Sequence, residues 1–411
     1  MTKYGRSPWI DQFPSSRVRT YPRHRGPLSR DVVIVGGGLT GCATAYAFAA
    51  AGVKVALLEE TQIGRGSTGA ASGWISDEPG IDFVALEQAI GRRAARHAWQ
   101  AWRRAALDFS ALLKRLDVKC RFQPQETWTV AATPEQSARL KREQKARRDA
   151  SLDAALMPPR AVASETALAA FGALRTKGGA AIDPYRACVA LAAAAAQRGA
   201  QLFERSPVSK IAFTRKTADV ITAGGAIRAN KVVVATGVPT RLSASLARHF
   251  WFRATHLALT EPVPAKVRQR LGRRAAVIRD VAQPPHVIRW VDDRILVCGA
   301  DADAAGVGAS SQRERLLVQR TGQLMYELST MYPDISGIQP AYGWDAAYAR
   351  AADGLPHVGP HRNFPHQLFA FGDGSHSVTA AYLASRILLR CYEEEPDAAD
   401  DTFGFARLTA R

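Results

Sequence analysis

Apolar runs short enough for strands alternate with alanine-rich and amphipathic stretches along the chain, and each predicts an element. Residues 32–35, "VVIV", are apolar and β-branched, the pattern of a strand buried on both faces. Residues 39–51 combine alanine with good helix formers, and "VKVALL" after Gly52 predicts a second buried strand. From Ile81 to Leu116 apolar side chains recur every three or four residues (Leu86, Ile90, Ala94, Trp99, Trp102, Leu107, Leu112, Leu116), which predicts helix throughout. "ETWTVAAT" predicts a strand, and "TPEQSARL" opens a helix with Thr133 as cap and Pro134 at its first position. Residues 151–182 show no regular period.

The second half follows the same logic. "IDPYRACVALAAAAAQRGAQLF" predicts a proline-initiated, alanine-rich helix lying close on a sheet, then a strand. A hairpin turning at Gly224-Gly225 precedes the buried strand "KVVVAT". Residues 250–300 alternate apolar and polar, which predicts an antiparallel sheet separate from the parallel one. Residues 311–331 predict an amphipathic helix, "QLFAFGD" a strand, and "GSHSVTAAYLASRILLRCY" a final helix.

Composition narrows the class. At 411 residues with 47% hydrophobic positions, the chain can bury sizeable cores in two or three lobes, and no apolar run reaches membrane-span length. The first 30 residues are basic and proline-rich without an apolar core segment. They are expected to form an extended arm and not a secretory signal. Five scattered cysteines (Cys42, Cys120, Cys188, Cys298, Cys391) argue against zinc and a disulfide framework, so a reducing cytoplasm is the expected location. The net charge of +18 permits an anionic partner such as nucleic acid. However, arginine is spread through an alanine-rich chain, and the densest stretch, "RLKREQKARRDA", is expected to be a solvated helix face. Compositional bias is the favoured reading.

The candidate chemistry sits where the first strand ends. Gly36, Gly38 and Gly41 have G-x-G-x-x-G spacing: a tight turn, a close approach of backbone to pyrophosphate, and helix packing on strand. Leu39 and Thr40 begin the helix whose N-terminal amides and dipole favour phosphate. The second strand ends at Glu59 and Glu60, acids placed to hold ribose hydroxyls. A Gly/Ser/Thr/Ala loop over 61–75 offers further amides. The nucleotide fold opens near the N-terminus and is completed by "QLFAFGDG" near the C-terminus, with an antiparallel sheet inserted between. Dehydrogenases that use NAD usually keep this domain contiguous, so the interleaving favours FAD.

These residues resemble the D-amino-acid-oxidase-like (DAO) family of FAD-dependent oxidoreductases. The likeness runs through "DVVIVGGGLTG", "VALLEE", "IGRGSTGAASG", "IDPYRACVALAAAAAQRGAQLFERSPVSKI", "KVVVATG", "DGLPHVGP" and "FGDGSHSVTAAYLASRIL". The arm "SPWIDQFP" resembles the γ-glutamylputrescine-oxidase branch, near the sarcosine-oxidase branch. The resemblance implies an α/β fold with an α+β substrate part: a Rossmann-like FAD-binding domain of the glutathione-reductase type interleaved with an antiparallel-sheet substrate domain. The expected division is an arm over 1–30, an FAD domain over 31–80, 180–245 and 350–411, and substrate parts over 81–179 and 246–349.

By position, the resemblance implies that Gly36, Gly38 and Gly41 cradle the pyrophosphate and that Glu59, with Glu60 beside it, binds the adenosine ribose. Ser67 and Thr68 would line the phosphates, and Ala71, Ser72 and Gly73 would lie beneath the flavin ring system. Val208 would meet the adenine, with Thr236 and Gly237 near the phosphates. Gly372, Gly374, Ser375, His376, Ser377, Val378 and Thr379 would face the N1–C2=O edge of the flavin, where reduction places negative charge.

Several positions depart from the family. It commonly has "GRNGG" where residues 69–73 read "GAASG", and "GHGGHGVT" where residues 372–379 read "GDGSHSVT". Asp373 thus puts a carboxylate where negative charge is unwelcome. Members with covalent FAD carry a cysteine shortly before "DGLP"; residues 345–352 have none, so non-covalent FAD is expected. Relatives that oxidise free amino acids often place an arginine four residues after a tryptophan such as Trp344, and Tyr348 stands there instead. Strand parity puts Trp344, Tyr348 and Arg350 on one face, which makes Arg350 a substitute cation. His286 and Arg289 are the polar candidates of "HVIRWVDDRIL".

The expected function is therefore FAD-dependent amine oxidation, with oxygen or another acceptor taking the electrons and Trp344, Tyr348, His376, Arg289 and Arg350 as pocket candidates. No metal is expected. Two alternatives use the departures: a DAO-type flavoenzyme acting on an aminomethyl group of tRNA, and a flavoprotein-fold subunit without catalysis.

Overall fold

Two sheets divide the chain. The computed structural model describes residues 1–272, 275–282, 285–303, 310–372 and 374–409. Asp373 lies outside the described residues. In the first sheet the strand Leu28–Val35 pairs in parallel with Val55–Leu58 on one side and with Gly225–Gly237 on the other. Gln201–Phe203 and Phe364–Phe371 extend it in parallel, and His357–His361 closes one edge antiparallel. Such a sheet must be covered on both faces, and the residue period of two does this. Val32 and Ile34 pack into a helical layer made by Leu39–Ala50, Pro184–Gln197 and Ser377–Glu393. Val33 and Val35 turn the other way, toward Val208, Val220, Phe250 and Phe405. Buried alanines on the facing helices, among them Ala43, Ala47, Ala187 and Ala195, let the backbones approach closely.

The second sheet runs in the order Lys3–Tyr4, Pro340–Arg350, Trp251–Thr260, Arg294–Asp303, Val287–Val291, Ala276–Asp280, Gln123–Val130, Ala173–Ala181 and Trp74–Ile75. Most of its pairs are antiparallel, but Ala276–Asp280 joins Gln123–Val130 in parallel and Lys3–Tyr4 joins Pro340–Arg350 in parallel. The chain therefore crosses between the sheets repeatedly. Trp74–Ile75 belongs to this second sheet although it follows the glycine loop directly.

Four expectations differ from the structure. The helix over 81–116 is two helices, Phe83–Ile90 and Arg92–Arg115, parted at Gly91, whose φ of 82° only glycine adopts freely. The irregular 151–182 stretch holds Ala155–Met157, Pro159–Thr166 and Ala173–Ala181. Gly178 and Gly179 hide the last strand in the sequence, yet side chains there would press on Asp77 and on the Gln125 carbonyl. The N-terminal arm is docked, not extended: helix Pro8–Asp11 is capped by Ser7, and Trp9 is buried. The basic helix Pro134–Asp149 is not wholly solvated, since Glu143 and Arg147 are buried as an ion pair. Thr133 does cap it, accepting from the Gln136 amide.

Among the described residues no helix is long and apolar enough to cross a membrane. The five cysteines are free thiols, and no group of His, Cys, Asp and Glu side chains among the described residues gathers as a metal site.

Candidate active site

A cavity of about 670 Å³ opens at the C-terminal ends of the parallel strands. The strand Leu28–Val35 delivers Gly36 to it with φ 111°, and a Cβ there would stand 2.6 Å from the Ala235 carbonyl oxygen. Gly38 caps helix Leu39–Ala50, so the first helical amides and the positive end of the helix dipole face the cavity. Gly41 does not line it. A Cβ on Gly41 would lie 1.8 Å from the Gly36 carbonyl oxygen, so its absence seats the helix on the strand.

Glu59 closes one end. Its carboxylate accepts from the Gly37 amide at 2.7 Å and from the Thr61 amide at 2.8 Å, which locks the glycine loop to the second strand. Glu60 and Val208 border the same end. Thr236 and Gly237 form a side wall, and Ser67, Thr68, Ser377 and Val378 lie toward the other end. Leu39 and Thr40 complete the floor, with the Leu39 amide donating to Thr68 Oγ1 at 2.8 Å.

Ser67, Ala71 and Ser377 border a second, narrower cavity of about 70 Å³ as well, so the two adjoin there. Its walls include Ser72, Trp74, Arg279, Cys298, Asp301, Tyr348, Gly374, Ser375 and His376. The His376 ring lies 4.8 Å from the Trp74 ring, and its Nδ1 is 3.1 Å from Ser375 Oγ. Burial, helped by Arg279 and Arg350, lowers its pKa to about 3, so the imidazole is neutral. Its Nε2 is buried without a partner among the described residues. The Tyr348 hydroxyl donates to Asp301 Oδ2. Burial first, then Asp301, pushes the phenol well above its ordinary range. Burial likewise raises the Cys298 thiol to about 12 and keeps it protonated.

The lining fits FAD: the larger cavity is bordered by an acid, a glycine loop and a helix N-terminus, and adjoins a slot beside a second helix start. The orphaned His376 Nε2 is a buried polar atom that a bound ring system or substrate would satisfy.

The other predicted positions fall outside both cavities, for readable reasons. Trp344 donates through Nε1 to the Ala70 carbonyl at 2.8 Å and is buried with Trp9 and Tyr185, beneath the loop. Arg350 is exposed at the far end of the same strand. Its charge nevertheless reaches the slot, since it helps to lower the His376 pKa. At about 3.3 Å per residue, only Ala346, Ala347 and Tyr348 of this strand line the slot. Arg289 is buried behind the loop, giving hydrogen bonds of 2.6–2.8 Å to the Ser72 carbonyl and 3.1 Å to the Ile182 carbonyl, over the Trp9 ring. Its guanidinium supports the loop from beneath and does not line the slot, so the expected pocket residue is a scaffold residue instead. Gly73 makes room for this: a Cβ there would lie 2.8 Å from Arg289 Nη2. His286 bridges Asp280 and Glu327 away from the slot. Gly372 packs on Phe250, and Thr379 Oγ1 donates to the Ser76 carbonyl at 2.8 Å.

Sequence reading missed Gly37, Thr240 and Arg241 at the first cavity, and Arg279, Cys298 and Asp301 at the second. Arg279 and Asp301 close alternating strands, where the last inward polar side chain before a turn is the available signal.

The profile of the DAO family, "FAD dependent oxidoreductase", matches residues 31–390. The γ-glutamylputrescine oxidoreductase of Escherichia coli (strain K12) is 26% identical over 386 residues, covering 93% of this chain and 87% of that protein. The glycine oxidase of Geobacillus kaustophilus (strain HTA426) is 24% identical over 386 residues, covering 90% and 94%. The crystal structure of a G. kaustophilus glycine oxidase shares the fold with a TM-score of 0.73 at 20% identity, over 92% of this chain and 98% of that one. The L-amino acid deaminase of Proteus myxofaciens, solved with anthranilate, gives 0.76 at 16% identity, over 99% of both chains.

Proposed function

Since the chain belongs to the DAO family of FAD-dependent oxidoreductases, we propose that it oxidises the C–N bond of a primary or secondary amine or an N-substituted amino acid. FAD bound there would supply the two-electron chemistry, a hydride acceptor for the carbon next to the nitrogen with oxygen or another acceptor as the final electron sink; the imine left on the substrate would be hydrolysed by water. Gly36, Gly38, Leu39, Thr40 and Glu59 would hold the dinucleotide; Ser67, Thr68, Ala71 and Ser377 would lead it into the slot.

The carrying observation is that the slot shares Ser67, Ala71 and Ser377 with the larger cavity and is lined by Tyr348 and Asp301. Polar groups there can orient an amine, while Trp74, Leu257 and Val287 exclude water from around it. Burial shifts the titratable groups His376, Cys298 and Tyr348 so that all three stay uncharged at neutral pH, which suits a reaction whose amine arrives already neutral and needs no strong base from the protein. The names of the relatives, an oxidoreductase of γ-glutamylputrescine and oxidases of glycine, support an amine or amino-acid substrate.

The test is anaerobic mixing of the FAD-loaded protein with a panel of primary amines, secondary amines and N-substituted amino acids. At least one class should bleach the flavin. A panel that leaves it oxidised, while an artificial reductant bleaches it, would overturn the proposal.

A further inference from the structure

One wall of the slot can accept hydrogen bonds but has none to give. Tyr348 and Asp301 line it from the strands Pro340–Arg350 and Arg294–Asp303. The Tyr348 hydroxyl has a single proton, and that proton goes to Asp301 Oδ2. Burial, with Asp301 beside it, keeps the proton on the phenol. What the tyrosine can still offer is oxygen lone pairs. Asp301 Oδ1 has no protein donor among the described residues, and a carboxylate only accepts. The cations nearby are engaged elsewhere: Arg253 pairs with Asp303 at 2.6 Å and Arg313 with Asp345 at 2.8 Å. Arg279, on the same slot, has Glu78 at 3.6 Å. Asp301 thus stands beside the apolar Leu257, Val287 and Ala346 with no ion pair among the described residues. A half-buried charge in such a place is costly unless a cation meets it.

We infer that Asp301 and Tyr348 form a subsite for a second, non-reacting ammonium group of the substrate, so that the preferred substrate is a diamine and not a monoamine. The inference rests on the amine-oxidation reading above and names the substrate class within it. A carboxylate holds the proton on an amine next to it, because an opposite charge favours the charged form. A hydride leaves only a carbon whose nitrogen is neutral, so the nitrogen held at Asp301 is the one that does not react. An ammonium bearing hydrogens, unlike a quaternary one, can donate to Asp301 and Tyr348 together. Arg279 repels a cation elsewhere in the slot, which leaves Asp301 and Tyr348 as the place for it. Leu257, Val287 and Ala346 suit the methylenes that join the two nitrogens.

The test compares 1,4-diaminobutane with pentylamine as substrates of the FAD-loaded protein, two chains of equal length that differ by an ammonium in place of a methyl group. The ratio of their kcat/KM values should favour the diamine by roughly ten-fold or more. Asp301→Asn, which keeps the shape and removes the charge, should bring that ratio close to one, and Tyr348→Phe should lower it part of the way. FAD content and melting temperature establish that each variant is folded. A second arm needs no turnover and decides alone where neither amine is oxidised: methylguanidinium and the uncharged N-methylurea are titrated while the flavin absorption spectrum is followed. The cation should bind roughly ten-fold tighter to the unsubstituted protein and lose this advantage in Asp301→Asn. A ratio near one in the unsubstituted protein would overturn the subsite, as would a ratio that Asp301→Asn leaves within about two-fold or equal binding of methylguanidinium and N-methylurea. Monoamines that still bleach the flavin in such a result leave amine oxidation standing while the subsite falls. Asp301-dependent binding of methylguanidinium without bleaching by any amine supports the subsite and removes the amine reading instead.

Discussion

The Tyr348 hydroxyl donates to Asp301 Oδ2 across the intervening strand Trp251–Thr260, tying two non-neighbouring strands of the second sheet together at the slot. Both residues border the slot and neither borders the dinucleotide cavity. Tyr348→Phe should therefore leave FAD content unchanged. It should cost about 1–2 kcal/mol through the lost hydrogen bond to a carboxylate, shared between stability and a raised KM for amine substrates. Thermal melting, flavin content and steady-state kinetics together check this; a variant that loses FAD with KM unchanged would refute it.

Glu59→Ala should weaken FAD binding while the protein stays folded. Glu59 stands at the end of the second strand, and its carboxylate already orders Gly37 and Thr61. Removing a charged acceptor at that point should cost roughly 1.5–3 kcal/mol of binding. A fluorescence titration giving the same FAD Kd for variant and parent would sink the assignment.

Flavin should leave the protein completely on acid or heat denaturation. No cysteine lies between Trp344 and Gly354, and the thiol lining the slot, Cys298, is held protonated and therefore a poor nucleophile. Yellow fluorescence remaining with the precipitate would contradict this expectation.

His286 supplies a pH-dependent brace. Its Nδ1 lies 2.6 Å from Asp280 Oδ2 and its Nε2 2.9 Å from Glu327 Oε2, which joins the strands to helix Ser310–Met331. The hydrogen bond to Asp280 is the main cause that raises its pKa to about 9. The folded value exceeds the unfolded one, about 6.5. The stabilisation is therefore complete below the unfolded value and disappears as pH rises through about 9, up to roughly 3 kcal/mol in all. The melting-temperature gap between parent and His286→Ala should be wide at neutral pH and shrink toward pH 10. An equal gap at both ends would remove the charged brace from consideration.

The dinucleotide half was legible because its determinants are local. Gly36, Gly38, Gly41 and Glu59 fall within one strand–helix–strand unit, and backbone sterics fix what each must do. The slot was harder to read because its walls come from strands far apart in sequence, whose order no single-chain pattern gives. Tyr348 was found by parity on a known strand. Trp344 and Arg350 share that parity but are not among the slot's lining residues: Trp344 is buried beneath the loop, and Arg350 is exposed while its charge still acts on His376. Arg289 shares a strand with the slot-lining Val287 and ends beneath Ser72 instead. Arg279 and Asp301 went unseen since an arginine or aspartate near a strand end is ordinarily a surface residue, and only the sheet order brings them together.

The boundary shared by the two cavities is made by Ser67 and Ala71, synthesised early, and by Ser377, synthesised when the chain is almost finished. The strand Leu28–Val35 likewise waits for Gly225–Gly237, which itself waits for Phe364–Phe371. On a ribosome, where chains emerge N-terminus first, the glycine loop appears long before anything exists to close over it. Cofactor capture is thus expected of the released protein and not of the nascent one. A chain stopped anywhere before Ser377 should come off the ribosome colourless, however much of the glycine loop it carries.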